Sequence, residues 1–491
     1  MTTLPLGSIT FIGGGISSFV AAARAQDLGY QTTIIAEDVG GNAGSSRTSS
    51  GMVYQTGSTI LALTDPRRLK QLRDWGVPVD RRHEIRPDQF FVGTPGRGEW
   101  VSVDDDGRRS SNKLERRFAR EIKKAVDYFS KHLRHRNGRV GHSLRTLPKQ
   151  AFELDQASFG EILSRFHPDV RKFMTSNVKA DLSEDTDKMS GLSGVRDQWA
   201  DVMGTRFLLK GGNIQIVEIL RAYLARTQGP GFLKRGKVTH ITRQDGRVAV
   251  SYETRKGEKF ETVESDYVVV GVPSYQVADI FDELRDPHRT LFANMAERGA
   301  YYLVNYRLSS VPIDPHVFSI IPDTRWTTDI VLTNKDEDAY LPVGSHVESV
   351  LTAYVPFTHA EKGRARQPKA KVLREVRDEI VAVRPELAEA LDAAIAASRG
   401  THVTYWNEAM SCPRPGQLRE LAEAGLVLGK NIFYAHSDAQ HPSAPGAIEG
   451  GLEALKLVEE ARKADPPRHR KTFAAFVPRA HVPAERGTVD L

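Results

Sequence analysis

The chain is predicted to be an α/β protein built around a mostly parallel sheet, and three stretches carry that prediction. Residues 8–37, SITFIGGGISSFVAAARAQDLGYQTTIIAE, run through a short apolar strand, a glycine turn, an Ala-rich helix and a second apolar strand. Residues 236–273 hold GKVTHITRQDGRVAVSYET and ESDYVVVGVP, alternating strands that end in an apolar run. Residues 431–461, NIFYAHSDAQHPSAPGAIEGGLEALKLVEEA, close with a strand, a loop and a long helix. Strands interleaved with helical stretches of this length read as β-α-β units, hence a parallel sheet.

The first unit has the chemistry of a nucleotide site. Its turn, Gly13-Gly14-Gly15-Ile16-Ser17-Ser18, is a G-x-G-x-x-G fingerprint with serine in third place, and Glu37 follows Ser18 by 19 positions. Gly13 permits the tight exit from the strand, and Gly15 lets a pyrophosphate lie against backbone N–H groups at the positive end of the helix. Ser18 is small enough for the helix to pack on the sheet, while Glu37 can accept hydrogen bonds from ribose hydroxyls. A glycine turn alone is weak evidence. Here the strand, the helix, its Gly29 stop and the spaced acid agree.

Composition bounds the rest. At 491 residues the expectation is two or three domains, and 40% hydrophobic with 26% charged residues reads as globular. No run approaches the roughly 20 apolar residues of a bilayer span. The first strand begins too close to Met1 for a secretory leader, so a cytoplasmic location is expected. A single cysteine, Cys412, excludes an intrachain disulfide, and 15 histidines without a paired motif point away from a metal site. The formal charge of +6 gives no reason to expect nucleic acid.

The residues after Glu37 narrow the nucleotide. Asp38 and the Gly40-Gly41-Asn42 run follow the acid directly, and Gly51-x-x-x-Gln55-x-Gly57-Ser58 comes next. This resembles the FAD-binding superfamily of monoamine oxidases, protoporphyrinogen oxidases, carotenoid desaturases and UDP-galactopyranose mutases. Three further segments stand in that family's order: Arg206 to Asn213 ahead of the helix IQIVEILRAYL, the strands from Gly236 to Pro273, and the C-terminal strand, loop and helix. The resemblance implies non-covalent FAD, held by Gly13, Gly15, Ile16, Ser17, Ser18, Glu37, Asp38, Gly41, Asn42, Arg47, Gly57, Ser58, Val238, Pro273, Asp438, Ala447 and Ile448. Val238 would offer its backbone to the adenine. A helix N-terminus near Gly446 to Gly450 would stabilise negative charge on a reduced flavin. Arg47 is open to two readings, a diphosphate contact or a surface loop residue. A covalent flavin link at Cys412 is disfavoured, because MSCPRPGQ lacks the family's glycine pair.

The same resemblance implies an architecture: a Rossmann-like FAD-binding domain assembled from residues 1–76, 205–285 and 425–463, with an antiparallel layer added to its sheet. An α+β substrate domain would come from 77–204 and 286–424. In it a helical part carries the stripe Leu114, Phe118, Ile122, Val126, Phe129 and Leu133. Strands such as AYYLVNYRL and HVESVLTAYV would form a sheet over the flavin, beside a helix around 370–397. Residues 464–491 form a Pro/Arg-rich tail, ordered on the surface or disordered.

In the family the flavin takes the electrons, so the expected activity is oxidation of a small molecule by hydride transfer to flavin N5. The product carries a new C=C or C=N bond, the role is biosynthetic, and oxygen or another acceptor reoxidises the flavin. Leu303 stands where amine oxidases place a lysine, and their aromatic pair would fall near Met410 to Cys412 and at Ala447. These departures favour a desaturase or ring oxidase. An amine or amino-acid oxidase releasing hydrogen peroxide is the alternative, suggested by EGGLEA. A non-redox enzyme of the mutase type, suggested by Gly-Gly-Asn42, and a flavin binder without catalysis are further readings.

Candidate catalytic residues are His436, His441, Tyr302 and Trp406. Each histidine reads either as a hydrogen-bonded structural residue or as a flavin contact or substrate base, with Asp438 able to orient either one. Tyr302 and Trp406 head a set with Trp199, Tyr301, Trp326 and Tyr405, of which some line a pocket and others are core. The basic helix LERRFAREIKKAVDYFSKHLRHR is a solvated face or a dock for an acidic partner. The partners expected are a small-molecule substrate and an electron acceptor, without nucleic acid or membrane span; a homodimer is left open.

Overall fold

Strands Ser8–Ile12 and Gln31–Ala36 lie side by side in parallel, Ile12 opposite Ile35, because helix Ile16–Asp27 between them carries the chain back across the sheet. The computed structural model describes residues 6–47, 53–79, 89–94, 97–103, 110–209, 211–254, 259–312, 318–334 and 346–465. Gly51, the side chain of Arg47 and the Pro/Arg-rich stretch from residue 466 lie outside the described residues.

The first sheet has eight strands, in the order Phe260–Ser265, Arg247–Thr254, Leu233–Gln244, Gln31–Ala36, Ser8–Ile12, Tyr267–Val270, Ile432–Tyr434 and Val427–Gly429. Its five central members, from Leu233–Gln244 to Ile432–Tyr434, are parallel. The outer strands on both sides are antiparallel. The strands therefore come from three separated stretches of the chain. Alternation along them decides which core each residue joins. Phe11, Ile34, Val269 and Phe433 pack under helices Ile16–Asp27, Ile214–Gln228 and Ala444–Ala464. Ile12, Ile35, Val268 and Tyr434 face the opposite core.

That second core continues into a helical region. Helix Lys113–Leu133 buries Phe118, Ile122, Val126, Phe129 and Leu133, the stripe read from the sequence. It packs against helices Pro168–Leu182 and Gly191–Met203. Its outer cations are answered locally, as by Lys123 with Asp127 at 2.6 Å and Lys124 with Glu121 at 2.6 Å, which is a solvated face.

The second sheet runs Thr401–Trp406, Ala300–Pro312, His346–Phe357, Asp329–Asn334, Phe318–Ile320, Gln89–Val92 and Glu99–Ser102. One face of strand Ala300–Pro312 packs Tyr302, Val304 and Tyr306 onto helices Lys369–Val383 and Ala388–Ala396. The single helix expected over 370–397 is thus two, interrupted at Pro385, whose ring cannot continue the first. Helix Ala444–Ala464 also starts earlier than expected, at a Ser443 cap whose Oγ accepts from the Gly446 N–H at 3.1 Å. Among the described residues no helix is long and apolar enough to cross a membrane.

Candidate active site

The glycine turn closes as its sequence requires. A Cβ on Gly14 would sit 1.9 Å from the Asp38 carbonyl oxygen, so only glycine lets the two loops touch there. Gly15 differs: a Cβ there would meet no protein atom within 4 Å, and its backbone is extended rather than left-handed. Gly15 also caps helix Ile16–Asp27 without any side-chain hydrogen bond to the first-turn N–H groups. Open space in front of uncapped helix donors is what a phosphate group needs. Ser17 and Ser18 are buried in the helix–sheet contact, as small residues at those places must be. Glu37 and Asp38 emerge exposed at the end of strand Gln31–Ala36. Val238 is buried on the neighbouring strand Leu233–Gln244, and Pro273 begins helix Ser274–Ile280.

A second loop reaches the same turn. The Gly40 N–H donates to the Gly14 carbonyl at 2.9 Å, and the short turn Gly41–Ala43 follows. Asn42 then ties three elements together: its carbonyl accepts from Ser58 N–H at 2.7 Å, and its Nδ2 donates to the Ala409 carbonyl at 2.8 Å. Asn42, Gly57, Ser58 and Ala409 form part of the wall of a cavity of about 150 Å³, which also meets Ser443 to Pro445 at the start of the C-terminal helix. Ala447 and Ile448 follow in its first turns, Ile448 buried in the core.

The facing wall comes from the second sheet, and register explains its members. Tyr301 pairs with Trp406, and Leu303 with Tyr354, which pairs in turn with Asp329. All five line the cavity, because alternate residues of a strand share a face. Tyr302 is one residue out of phase. It points to the opposite core, stacks edge-on with Phe357 and donates its hydroxyl to the Ala365 carbonyl. The expectation that Tyr302 reaches substrate is corrected by that alternation. Of the remaining aromatic set, Trp326 is core, Tyr405 is 40% exposed and Trp199 lines a neighbouring cavity.

The third wall is acidic. Asp197 and Asp201 stand four residues apart on one face of helix Gly191–Met203, and Asp181 approaches from helix Pro168–Leu182. One oxygen from each of the three lies within 4.8 Å of the others. Asp329 and Arg206 complete this side. Burial, and then the charges of Asp197, Asp201 and Asp329, push the Asp181 carboxyl well above the ordinary carboxylate range, against the pull of Arg206. Such a wall suits a cationic group, which would relieve the repulsion. These acids escaped the sequence reading, which sought cofactor and histidine motifs. The one available signal was the i, i+4 pair in Asp197-Gln-Trp-Ala-Asp201.

The two candidate histidines separate. His441 lines the cavity and gives its Nε2 to Asp197 Oδ1 at 3.0 Å. His436 stands outside the cavity's lining and caps a short turn, its Nδ1 accepting from the Asp438 N–H at 3.1 Å. Asp438 is spent on the protein. It is ion-paired with buried Arg298, and it accepts from Ser274 N–H at 2.9 Å and Ser411 Oγ at 2.7 Å. Burial opposes its charge, yet the Arg298 guanidinium holds its carboxyl well below the usual range. With both oxygens engaged, Asp438 has little left for a ligand. Cys412 is half-buried, and burial pushes its thiol well up, which suits an inert thiol.

A sequence profile described as flavin containing amine oxidoreductase matches residues 20–455. No curated protein sequence matches. Among solved structures, wild-type putrescine oxidase bound to putrescine superposes with a TM-score of 0.70 at 14% identity, over 92% of this chain and 99% of that one. Cyclohexylamine oxidase from Brevibacterium oxydans IH-35A gives 0.67 at 18% identity, over 93% and 99%. A CLA-producing fatty acid isomerase from P. acnes gives 0.62 at 16% identity, over 93% and 99%. At such identities the likeness is one of fold.

Proposed function

The chain belongs to the family of flavin-containing amine oxidoreductases, and from that premise we propose that it oxidises the carbon–nitrogen bond of a small cationic amine. It is an FAD-dependent oxidoreductase, and FAD, when bound, supplies the two-electron acceptor. The observation that carries the amine reading is the acidic wall, where Asp181, Asp197, Asp201 and Asp329 outnumber Arg206. An ammonium group docked there sets its adjacent carbon toward the wall formed by Asn42, Gly57, Ser58 and Ser443 to Pro445. Tyr301 and Trp406 close the cavity with aromatic faces that attract a cation and exclude water. The sequence alone favours a desaturase or ring oxidase, through Leu303 and the missing aromatic pair. The acidic surplus of this wall reverses that order, since four acids beside one arginine favour a cation over an uncharged substrate.

The residues fit the cofactor. Gly13 to Ser18 would hold the diphosphate and Glu37 the ribose. Val238 would meet the adenine, and Asn42, Gly57, Ser58 and the helix start at Ala444 would hold the ring. The division of labour follows: residues 1–76, 205–285 and 425–463 bind FAD, and 77–204 with 286–424 bind the substrate. Oxygen is the acceptor that this reading assigns, with hydrogen peroxide as product.

Anaerobic mixing with a panel of alkylamines, diamines, amino acids and uncharged ring compounds tests the reading. Bleaching of the flavin by cationic amines, and peroxide on readmission of air, is the expected result. Bleaching by uncharged compounds alone would sink it. Gly15→Ala tests the cofactor site. Its Cβ meets no protein atom, so the FAD-free protein should keep its melting temperature. The same methyl occupies phosphate space, and overpacking of about 1–3 kcal/mol weakens FAD binding by about 10- to 100-fold. Calorimetric titration of deflavinated protein with FAD reads that loss.

A further inference from the structure

Behind the active-site cavity lies a second one, of about 60 Å³, room for about four water-sized groups. Its walls include Asp65, Arg68, His142, Arg196 and Glu449, with Leu63, Leu133 and Trp199 as the larger apolar members. Its charges are mutually answered: Arg68 meets Glu449 at 2.5 Å, Thr64 Oγ1 contacts His142 Nδ1 at 3.1 Å, and Arg196 donates to the His142 carbonyl at 3.0 Å. The cavity is thus polar without a marked net charge.

Four residues belong to the walls of both cavities: Ala62, Ala200, His441 and Pro445. The alanines have only a methyl to offer, and Pro445 is fixed in the first turn of the C-terminal helix. The imidazole of His441 is therefore the one sizeable movable group in the partition. Among the described residues a single polar contact holds the ring, Nε2 to Asp197 Oδ1, and its buried Nδ1 has no hydrogen-bond partner. A group tethered at one atom pivots more readily than one held at both.

We propose that His441 is a specificity gate that sets the length of substrate the enzyme accepts, and that the second cavity is a latent extension of the substrate site. The inference rests on the amine reading for the identity of the substrate, but not for the geometry of the partition. His441→Ala deletes the ring and joins the cavities. His441→Asn also shortens the side chain but leaves an amide donor on the partition, from which a water can bridge to Asp197, so comparison with His441→Ala separates the effect of length from that of an unpaired carboxylate.

The test uses FAD-loaded wild type and both variants, with n-alkylamines from propylamine to decylamine as substrates. The n-alkanols of the same lengths serve as uncharged competitors, and their dissociation constants are read by calorimetry. Wild type should discriminate against chains that overfill the first cavity, and both variants should raise the long-to-short ratio of kcat/KM and of affinity at least tenfold. An equal change at every length would assign His441 a charge role and overturn the gate. An unchanged length profile for both probe series would overturn it too. A length shift with alkanols, where no amine binds to any of the three proteins, would uphold the gate and refute the amine reading. Should His441→Ala fail to fold, His441→Asn alone must show the shift.

Discussion

Asp438→Asn is expected to destabilise the protein by about 3–5 kcal/mol at neutral pH, through the buried charge it strands. Asp438 and Arg298 are each 1% exposed at the side chain, and their ion pair joins the C-terminal loop to the segment leading into strand Ala300–Pro312. Asparagine can still accept from Ser411 Oγ, but it cannot balance the guanidinium. Among the described residues Arg298 has no second acid to turn to, and the Tyr275 ring lies 5.0 Å from its guanidinium carbon. The sign with pH follows from the lowered carboxyl. Its contribution is fully present above the ordinary carboxylate value near 4 and is lost as pH falls toward the depressed native value. The gap between wild type and variant in urea denaturation should thus be widest at pH 7 and shrink in acid. Asp438→Leu with Arg298→Met, which removes both charges, should recover much of the loss. A gap independent of pH would show that the cost is packing rather than charge.

What could be read in advance divides along a physical line. The β-α-β unit, the Gly13 to Ser18 turn and the stripe on helix Lys113–Leu133 were legible because each is encoded within a few consecutive residues, through period, spacing or turn chemistry. The cavity is not local. Tyr301, Trp406, Tyr354 and Asp329 meet only through the register of four strands separated by up to a hundred residues. Tyr302 shows how finely this matters, since one step along the strand moves a tyrosine from the cavity to the opposite core. Asp438 shows a different limit. Its place in the C-terminal loop was readable, but its partner Arg298 lies 140 positions away. Composition gave no hint of the acidic wall either, because a net charge of +6 hides three carboxylates gathered at one point.

That gathering gives the other large expectation, and its two readouts move in opposite directions. Replacing Asp181 and Asp201 together by asparagine should lower kcat/KM for a cationic amine by about 10²- to 10⁴-fold, taking about 1.5–3 kcal/mol for each of the two charge-assisted contacts removed. Asp201 accepts from Asn177 Nδ2 at 2.8 Å, a contact that asparagine can also make. The same change should raise thermal stability. A carboxyl whose native value is raised contributes stability that is complete in acid and is lost as pH climbs through that raised value. At neutral pH the wild-type wall therefore either holds an extra proton or bears its own repulsion, and the variant escapes that cost. Melting curves should separate at pH 8, with the variant higher, and converge near pH 4. An uncharged competitor should bind both proteins alike. A variant that loses stability and activity together would place these carboxylates in the scaffold. A gain in stability with loss of the cation alone is the mark of a binding wall, because repulsion kept in the free protein is what a bound ammonium relieves.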